Sequence, residues 1–332
     1  MKSNHVLAFS AKPYDQTFLS IAAEGKLEFD CYNFALDPVS ASMANGYKVV
    51  SVFVNDDLCE ETLNTLARGG TKLIALRCAG YNNVDLVAAE KLGIKLVNVP
   101  AYSPHAVAEY TIALMLALGR NLPKAYNRVK DGNFSLNGLL GFDFYQKTLG
   151  IIGGGKIGQL VGQRLKAFGC KILVHEPYQT KQCEALGFQI VDLNSLITQS
   201  DIITLHCPLV ADTRHIINAD AISKMKQDVM LINTSRGGLL DTKAVLKAIK
   251  KRKIAHLGID VYEEESDLFF DDHSSDIIQD DVLQRLITFP NVIVTGHQGY
   301  FTREALQHIC STTVDNIMQF KSHQQLSNQV IS

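Results

Sequence analysis

Three residues that can hold an anion or move a proton follow three apolar segments in the second half of the chain. They are Arg236, Glu265 and His297. Arginine can bind a carboxylate through two parallel hydrogen bonds, and histidine exchanges a proton near neutral pH because its ordinary pKa is about 6.5. A neighbouring glutamate would orient the imidazole and stabilise its cationic form. Each residue taken singly also fits a surface or strand-end position, but their occurrence at three successive segment ends favours a catalytic set.

A glycine-rich stretch in the middle of the chain has the order of residues that a dinucleotide-binding turn needs. Gly153-x-Gly155-x-x-Gly158 follows the apolar segment Thr148–Ile152 and begins an amphipathic helix. Gly153 permits a tight turn, Gly155 lets the backbone approach a pyrophosphate, and Gly158 lets the helix pack closely on the strand. The N–H groups at the start of the helix would face the phosphates. We therefore predict a bound dinucleotide.

An acidic residue after the next strand bears on which dinucleotide binds. Glu176 follows Lys171–His175 and stands eighteen residues after Gly158. A carboxylate at this point can accept hydrogen bonds from the adenosine ribose and repels a 2′-phosphate, which favours NAD over NADP. Aspartate is the usual residue here, and a surface glutamate at a strand end is the alternative interpretation. The strictness of the preference for NAD therefore stays open.

Alternating apolar and amphipathic segments surround these residues and predict two α/β domains with parallel sheets. The strands predicted in the first hundred residues are Val6–Phe9, Val49–Val54, Leu73–Leu76 and Lys95–Val99. Those predicted in the second domain are Thr148–Ile152, Lys171–His175, Ile202–His206, Val229–Asn233, Ala255–Asp260 and Asn291–Thr295. Arg236, Glu265 and His297 would then lie near one edge of the second sheet, where ligands bind in such folds.

Two long helical patterns lie at the ends of the second strand series. His105–Leu122 is apolar on nearly all sides, so it should be buried at a domain or subunit boundary. Thr302–Lys321 follows the last strand with no further strand to join, so we expect it to return to the first domain. The predicted domains are therefore 1–101 with 298–332, and 102–297 inserted between them.

Composition is that of an ordinary soluble globular enzyme. The chain has 332 residues, 20% of them charged, and a formal net charge of −2, which gives no general attraction to nucleic acid or to anionic membranes. Seven scattered cysteines without a CxxC pair indicate reduced thiols in a cytoplasmic protein. The segment 263–281 holds nine acidic residues around Leu268-Phe-Phe270. A solvated loop held by its aromatic residues is favoured over a metal site, because regular ligand spacing is absent.

Several motifs along essentially the whole chain resemble those of the D-specific 2-hydroxyacid dehydrogenase family, most closely its fermentative D-lactate dehydrogenase branch. Besides the glycine turn, they are Arg77–Asp85, Pro100–Pro104, Val107–Glu109, Leu205–Leu209, Asn233–Gly237, Asp260–Glu263 and Thr295–Gln298. Gly296, where much of the family has proline, and the acidic segment also resemble that branch. The resemblance implies two Rossmann-like or flavodoxin-like domains, with the NAD-binding domain inserted into a split catalytic, substrate-binding domain.

The resemblance also implies residue roles. His297 would be the acid/base, Arg236 the carboxylate anchor, and Glu265, five residues after Asp260, the support of the histidine. Contacts with NAD are implied at Gly153, Gly155, Lys156, Ile157, Gly158, Glu176, Cys207, Pro208, Thr213, Thr234, Ser235 and Asp260. The substrate pocket would comprise Ala79, Gly80, Tyr102, Arg236 and Tyr300, without a metal.

The implied activity is the NAD-dependent, reversible reduction of pyruvate to D-lactate during fermentation. In the chemistry of the residues, arginine holds the carboxylate of a 2-oxo acid and histidine protonates the alkoxide that hydride addition leaves. The implied protein is a cytoplasmic homo-oligomer, either dimer or tetramer, that binds neither nucleic acid nor membrane. Reduction of bulkier 2-oxo acids or glyoxylate, and an NAD sensor without catalysis, remain as alternatives.

Overall fold

A computed structural model of the chain describes residues 4–265 and 268–330. The chain divides into two compact units. Unit 1 combines Met1–Ser103 with Phe301–Ser332, and unit 2 is the continuous segment Pro104–Tyr300. The boundaries predicted from the sequence, 101/102 and 297/298, differ from these by a few residues.

Unit 1 contains a parallel sheet of five strands with the order β2-β1-β3-β4-β5. The strands are β1 (His5–Ala8), β2 (Glu28–Cys31), β3 (Val49–Val52), β4 (Leu73–Leu76) and β5 (Lys95–Val97). The helices of the first segment are α1 (Pro13–Ala23), α2 (Glu60–Arg68) and α3 (Leu86–Lys91). The strand order 2-1-3-4-5 is that of flavodoxin-like folds. Strands β3 and β4 are buried at every position, as expected for a parallel sheet covered on both faces.

All four strands predicted in this region are present: β4 has the predicted bounds, β3 and β5 are shorter than predicted, and β1 is shifted by one residue. The edge strand β2 was missed. Its sequence, Glu-Phe-Asp-Cys, contains two acids, and none of its residues is fully buried. Apolar periodicity detects buried strands, so an edge strand that is half exposed gives little signal.

Unit 2 contains a parallel sheet of seven strands with the order β12-β11-β10-β9-β6-β7-β8. The strands are β6 (Thr148–Ile152), β7 (Lys171–His175), β8 (Gln189–Ile190), β9 (Ile202–Leu205), β10 (Val229–Asn233), β11 (Ile254–Ile259) and β12 (Val292–Val294). Renumbered from β6, this is the 3-2-1-4-5-6 order of the Rossmann fold with one further strand. All six predicted strands are present, and the two-residue edge strand β8 was missed.

The helices of unit 2 begin with α4 (Pro104–Gly119) and α5 (Leu122–Lys130). The others are α6 (Lys156–Ala167), α7 (Thr180–Ala185), α8 (Leu193–Gln199), α9 (Ala219–Lys224), α10 (Thr242–Lys250) and α11 (Asp281–Ile287). The prediction of one helix over His105–Leu122 was wrong at its end. Asn121 adopts a left-handed φ of 51°, and Pro123 lies in the first turn of α5, so the backbone direction changes there.

Most of helix α4 is buried inside unit 2, where it packs on α6, β10, β11 and β12. This explains why its sequence is apolar on nearly all sides. The last helix, α12 (Arg303–Lys321), packs on α1 and β4 in unit 1. Within residues 4–265 and 268–330, no helix is both long and apolar enough to cross a membrane.

Candidate active site

The glycine turn connects β6 to α6 at the point where the strand order of the unit 2 sheet reverses. Gly153 has a φ of +101°, and a Cβ on it would overlap the backbone nitrogen of Cys207, just after β9. A Cβ on Gly158 would overlap the Gly153 carbonyl oxygen, so close helix–strand packing requires glycine. A Cβ on Gly155 would meet nothing within 4 Å, which leaves this side of the backbone open.

Helix α6 begins at this turn without a side-chain cap. Gly155 occupies the N-cap position, and no side chain accepts a hydrogen bond there. The first N–H groups of an uncapped helix can bind an anion, and the dipole of the helix favours negative charge. The open side of Gly155 and these N–H groups fit the pyrophosphate of a dinucleotide.

Glu176 follows β7, and its carboxylate lies against the glycine turn. One oxygen accepts a hydrogen bond from the Gly154 N–H at 2.7 Å. The other accepts from the N–H groups of Tyr178 at 2.8 Å and Gln179 at 3.2 Å. The side chain is buried. These bonds fix a negative charge beside the turn, as the sequence-based preference for NAD requires.

Several other predicted cofactor contacts lie on the loops after β9 and β10, where their side chains organise the loops. The Ser235 hydroxyl donates to the Cys207 carbonyl at 2.8 Å, and the Thr213 hydroxyl donates to the Pro208 carbonyl at 2.7 Å. The hydroxyls of Thr234 and Thr111 lie 2.8 Å apart and are buried. Burial raises the pKa of the Cys207 thiol to about 11, so the thiol is uncharged at neutral pH.

Lys156 and Ile157 form the first two positions of α6, directly after the open side of Gly155. Lys156 is exposed and Ile157 is half-buried. Both therefore lie beside the N–H groups that fit a pyrophosphate.

Asp260 follows β11 directly, is buried, and holds the turn that carries His297. One carboxylate oxygen accepts from the Thr295 hydroxyl at 2.6 Å and the Gln298 N–H at 2.9 Å. The other accepts from the Gly299 N–H at 2.7 Å, and the Asp260 carbonyl accepts from the His297 N–H at 2.7 Å. Burial raises the pKa of Asp260, and these hydrogen bonds oppose that rise. The sequence suggested a cofactor contact here, and this positioning role was missed.

Glu265 and His297 are brought together as predicted from the sequence. Nδ1 of His297 lies 3.0 Å from Oε1 of Glu265, with both side chains largely buried. The second oxygen of Glu265 accepts from the Tyr262 N–H at 2.8 Å, and the Tyr262 hydroxyl donates to Asp280 at 2.6 Å. Because Nδ1 faces Glu265, Nε2 is the nitrogen that can exchange a proton with a substrate.

Arg236 lies after β10, next to the strand that carries Asp260, but its guanidinium contacts its own backbone region. Nη1 donates to the Ser235 carbonyl at 2.7 Å, and the Asn233 amide donates to the Arg236 carbonyl at 2.8 Å. The next residue, Gly237, packs so tightly on the Tyr262 carbonyl that any Cβ would overlap it. The backbone segment that carries Arg236 therefore packs against the segment that leads to Glu265. The side chains of these two residues do not contact each other.

The acidic segment is held by its aromatic residues, as the favoured interpretation predicted. Phe269 is buried, and Leu268 and Phe270 pack against the same hydrophobic cluster. The Phe270 ring lies 5.7 Å from the ring of His297, a contact that sequence reasoning did not identify. Ser266 and Asp267 lie outside the described residues. Among the residues that are described, no group of three or more histidine, cysteine, aspartate or glutamate side chains could hold a metal.

The predicted substrate-pocket residues are divided between the two units. Ala79, Gly80 and Tyr102 belong to unit 1, where all three are half-buried. Arg236 and Tyr300 belong to unit 2, and Tyr300 is buried.

Comparison with known proteins gives the family. Residues 112–299 match the model of the D-isomer specific 2-hydroxyacid dehydrogenase, NAD binding domain. The D-lactate dehydrogenase of Escherichia coli (strain K12) is 47% identical over 97% of this chain and 98% of its own length. The chain therefore belongs to the D-isomer specific 2-hydroxyacid dehydrogenase family, and unit 2 is its NAD-binding domain.

Solved structures agree with this assignment. The pyruvate reductase of Chlamydomonas reinhardtii aligns with a TM-score of 0.93 and 41% identity over 98% of this chain and 99% of that one. The D-lactate dehydrogenase of Aquifex aeolicus, solved with NAD and lactic acid, aligns with a TM-score of 0.88 and 34% identity over 98% of this chain and 99% of that one. The predicted family, fold class and NAD cofactor are confirmed.

Proposed function

We propose that this protein is an NAD-dependent D-lactate dehydrogenase that reduces pyruvate to D-lactate with NADH. The observation that carries the proposal is the half-buried pair of Glu265 and His297, which lies at the carboxyl ends of the strands, as the glycine turn does. A histidine held by a carboxylate suits proton transfer to a keto oxygen. The similarity to D-lactate dehydrogenases over nearly the full chain supports pyruvate as the 2-oxo acid.

Each residue of the set has a separate task in the proposed reaction. Arg236 binds the carboxylate of pyruvate, together with the backbone N–H groups of Ala79 and Gly80. NADH, when bound, supplies a hydride to the keto carbon. His297 donates a proton from Nε2 to the keto oxygen, while Glu265 stabilises the charged imidazole through Nδ1.

Residues around this set would fix its orientation and its selectivity. Asp260 holds the turn that carries His297 by four hydrogen bonds, one from the Thr295 hydroxyl and three from the N–H groups of residues 297–299. Phe270 packs beside the His297 ring and limits the access of water. Tyr102 and Tyr300 limit the size of the substrate side chain.

The activity is tested by following NADH oxidation with pyruvate and then resolving the lactate on a chiral column. D-lactate as the product supports the proposal, and L-lactate contradicts it. Phenylpyruvate and glyoxylate are measured in parallel, because a higher kcat/KM for either would reassign the substrate. If the protein oxidised NADH with none of the 2-oxo acids, the dehydrogenase activity would be refuted and only the binding of NAD would remain.

We further propose that the protein acts as a homo-oligomer. The sequence suggested helix α4 as a subunit contact; most of α4 is buried within unit 2, and its exposed positions are His105, Glu109 and Ala113. Exposed apolar side chains instead follow it along α5 and the extended segment up to β6. They are Leu122, Tyr126, Val129, Phe134, Leu136, Leu140 and Tyr145. Leu140 is 95% exposed and Leu136 82%. Exposed apolar patches of this kind mark protein–protein contacts, so we place the subunit interface on this stretch.

Light scattering after size-exclusion chromatography would test the oligomer and distinguish a dimer from a tetramer. We expect L136D/L140D to reduce the molecular mass, with Val39→Asp as a control at an exposed apolar position in unit 1. A wild-type monomer would contradict the proposal. The seven cysteines form no disulfide among the described residues, which suits the reducing conditions of the cytoplasm, where we place the reaction as a step of fermentation.

A further inference from the structure

Three asparagines of unit 1 form a closed set of hydrogen bonds next to Ala79. The Asn316 side chain donates to the Asn98 carbonyl at 2.9 Å, and the Asn328 side chain donates to Oδ1 of Asn316 at 2.9 Å. The Asn98 N–H donates to the Asn328 carbonyl at 3.1 Å and completes the ring. The side chain of Asn98 then donates outward to the Ala79 carbonyl at 2.8 Å.

The ring is built into the interior of unit 1. Asn316 is 1% exposed and Asn98 9%. Buried polar groups that lose a partner keep the cost of their desolvation, so each bond in the ring constrains the next. The segment that carries Asn328 is fixed along β5, because the Val330 N–H donates to the Leu96 carbonyl at 2.9 Å.

The geometry of the peptide bond connects this ring to the N–H groups of Ala79 and Gly80. The Ala79 carbonyl and the Gly80 N–H belong to one planar peptide and point in opposite directions. Asn98 therefore fixes the direction of the Gly80 N–H by holding the Ala79 carbonyl. The Val99 N–H donates to the Cys78 carbonyl at 3.1 Å and fixes the Ala79 N–H in the same way.

Both N–H groups remain available for a ligand. Among the backbone hydrogen bonds of the described residues, none has the N–H of Ala79 or Gly80 as its donor. Both residues are half-buried. Donors whose direction is set before binding stabilise an anion without the cost of ordering the loop.

We propose that Asn98 is a positioning residue for the carboxylate of the substrate, and that Asn316 and Asn328 hold it in place. This inference rests on the proposed function, in which the Ala79 and Gly80 N–H groups bind that carboxylate. Asn98 acts through the peptide between these two residues and does not touch the substrate. Helix α12, which carries Asn316, and the segment after it, which carries Asn328, thereby take part in substrate binding.

The test is the isosteric variant Asn98→Asp, whose carboxylate cannot donate to the Ala79 carbonyl. We expect the KM for pyruvate to rise about tenfold or more, as the loss of one buried hydrogen bond implies. The kcat and the dissociation constant of NADH should change less than about twofold, because binding that is equal in the ground and transition states affects KM alone. An unchanged KM, or a fall in kcat at constant KM, would overturn the inference.

Thr71→Val is the matched control. The Thr71 hydroxyl is buried in unit 1 and donates to the Tyr47 carbonyl at 3.1 Å, so the variant also loses one buried hydrogen bond. We expect a lower Tm with an unchanged KM. If Thr71→Val raised KM as much as Asn98→Asp, a general loosening of unit 1 would explain both, and the inference would be wrong. Asn328→Asp, at the half-buried end of the ring, takes the place of Asn98→Asp if that variant does not fold, with the same expected direction.

Hydrogen exchange at the Val99 N–H, which donates to the Cys78 carbonyl of the same loop, separates this inference from the proposed function when it is measured by mass spectrometry without substrate. We expect faster exchange in Asn98→Asp than in wild type or Thr71→Val, and equal exchange in all three proteins would overturn the inference. A wild type that reduces no 2-oxo acid refutes the proposed function and with it a substrate role for Asn98. An active wild type together with an unaltered Asn98→Asp refutes this inference alone.

Discussion

The glycine turn lies at the carboxyl ends of the strands of the unit 2 sheet, and so do Arg236, Glu265 and His297. The turn and this set of three residues are built in different ways. The turn is made from consecutive residues, and Gly158 packs directly on the carbonyl of Gly153. The other three residues come from three loops, and Asp260 fixes the position of the histidine through the backbone. Cofactor binding in this unit is thus a local property of the chain, whereas proton transfer depends on the alignment of separate strands.

His297→Gln should separate the two regions most strongly. Loss of the acid is expected to lower kcat about 10³-fold, within the usual range for general acid catalysis. The turn is untouched, so the dissociation constant of NADH, measured by fluorescence titration, should stay within about twofold. Turnover near that of wild type would remove His297 as the proton donor.

Arg236→Lys tests the anchor on β10. Lysine keeps the charge but loses the planar pair of donors, so the KM for pyruvate should rise about tenfold to a hundredfold. NADH binding should again be unchanged. Steady-state kinetics with pyruvate give the answer, and an unaltered KM would count against a bidentate carboxylate anchor.

Glu265→Gln tests the support of the imidazole. The amide keeps the size of the side chain but removes the negative charge next to Nδ1, so kcat should fall about tenfold or more. Glu264→Gln is the control, since Glu264 is exposed and belongs to the same acidic run. Equal effects of the two substitutions would mean that the general charge of the segment matters and not the pair with His297.

Two glycine substitutions test the turn from the other side of the comparison. Gly155→Ala adds a methyl group to open space, so we expect unchanged Tm and an NADH dissociation constant raised about tenfold. Gly158→Ala forces a methyl group against the Gly153 carbonyl, so the free energy of unfolding should fall by about 1–3 kcal/mol. Thermal unfolding and NADH titration of both variants would show whether binding and packing are separable within the turn.

The smallest expected effect concerns His206, which lies behind Gly153 at the end of β9. Its Nδ1 is buried and has no hydrogen-bond partner among the described residues, and burial lowers the pKa of His206 to about 3. The unfolded chain binds a proton near pH 6.5 and the folded chain does not, so stability falls as the pH drops below that value. The loss should reach about 2 kcal/mol at pH 5.

Urea unfolding of the protein without cofactor at pH 7, 6 and 5 measures this effect. In His206→Gln, the free energy of unfolding should lose the part of its pH dependence that comes from one proton. The other titrating groups contribute equally to both proteins. Parallel curves for the wild type and the variant would contradict a His206 that stays neutral in the folded protein.

The sequence predicted both sheets because their central strands are buried at nearly every position and read as apolar runs. It failed at β2 and β8, whose few residues are partly exposed, and at Asn121, where a left-handed residue interrupts an apolar pattern. The glycine turn could be predicted in detail because its function depends on consecutive residues.

The site away from the turn was less accessible to sequence reasoning. The pairing of Glu265 with His297, which stand 32 positions apart, was predicted because each follows an apolar strand, and the family resemblance supported their roles. The hydrogen bonds of Asp260 to the histidine turn and the contact of Phe270 with the imidazole gave no pattern in the sequence. The ring of Asn98, Asn316 and Asn328 joins residues from distant parts of the chain, and only the folded arrangement shows it.

The division of unit 1 into two segments also sets an order of assembly during synthesis. Unit 2 is continuous, so all of its strands leave the ribosome before α12 does. Strand β5 and helix α1 emerge early, but the helix that packs on α1 and the residues that pair with β5 follow more than two hundred residues later. Domains generally fold as units while the chain grows. The cofactor domain can therefore fold first, and the earliest residues to be made must wait longest for their partners.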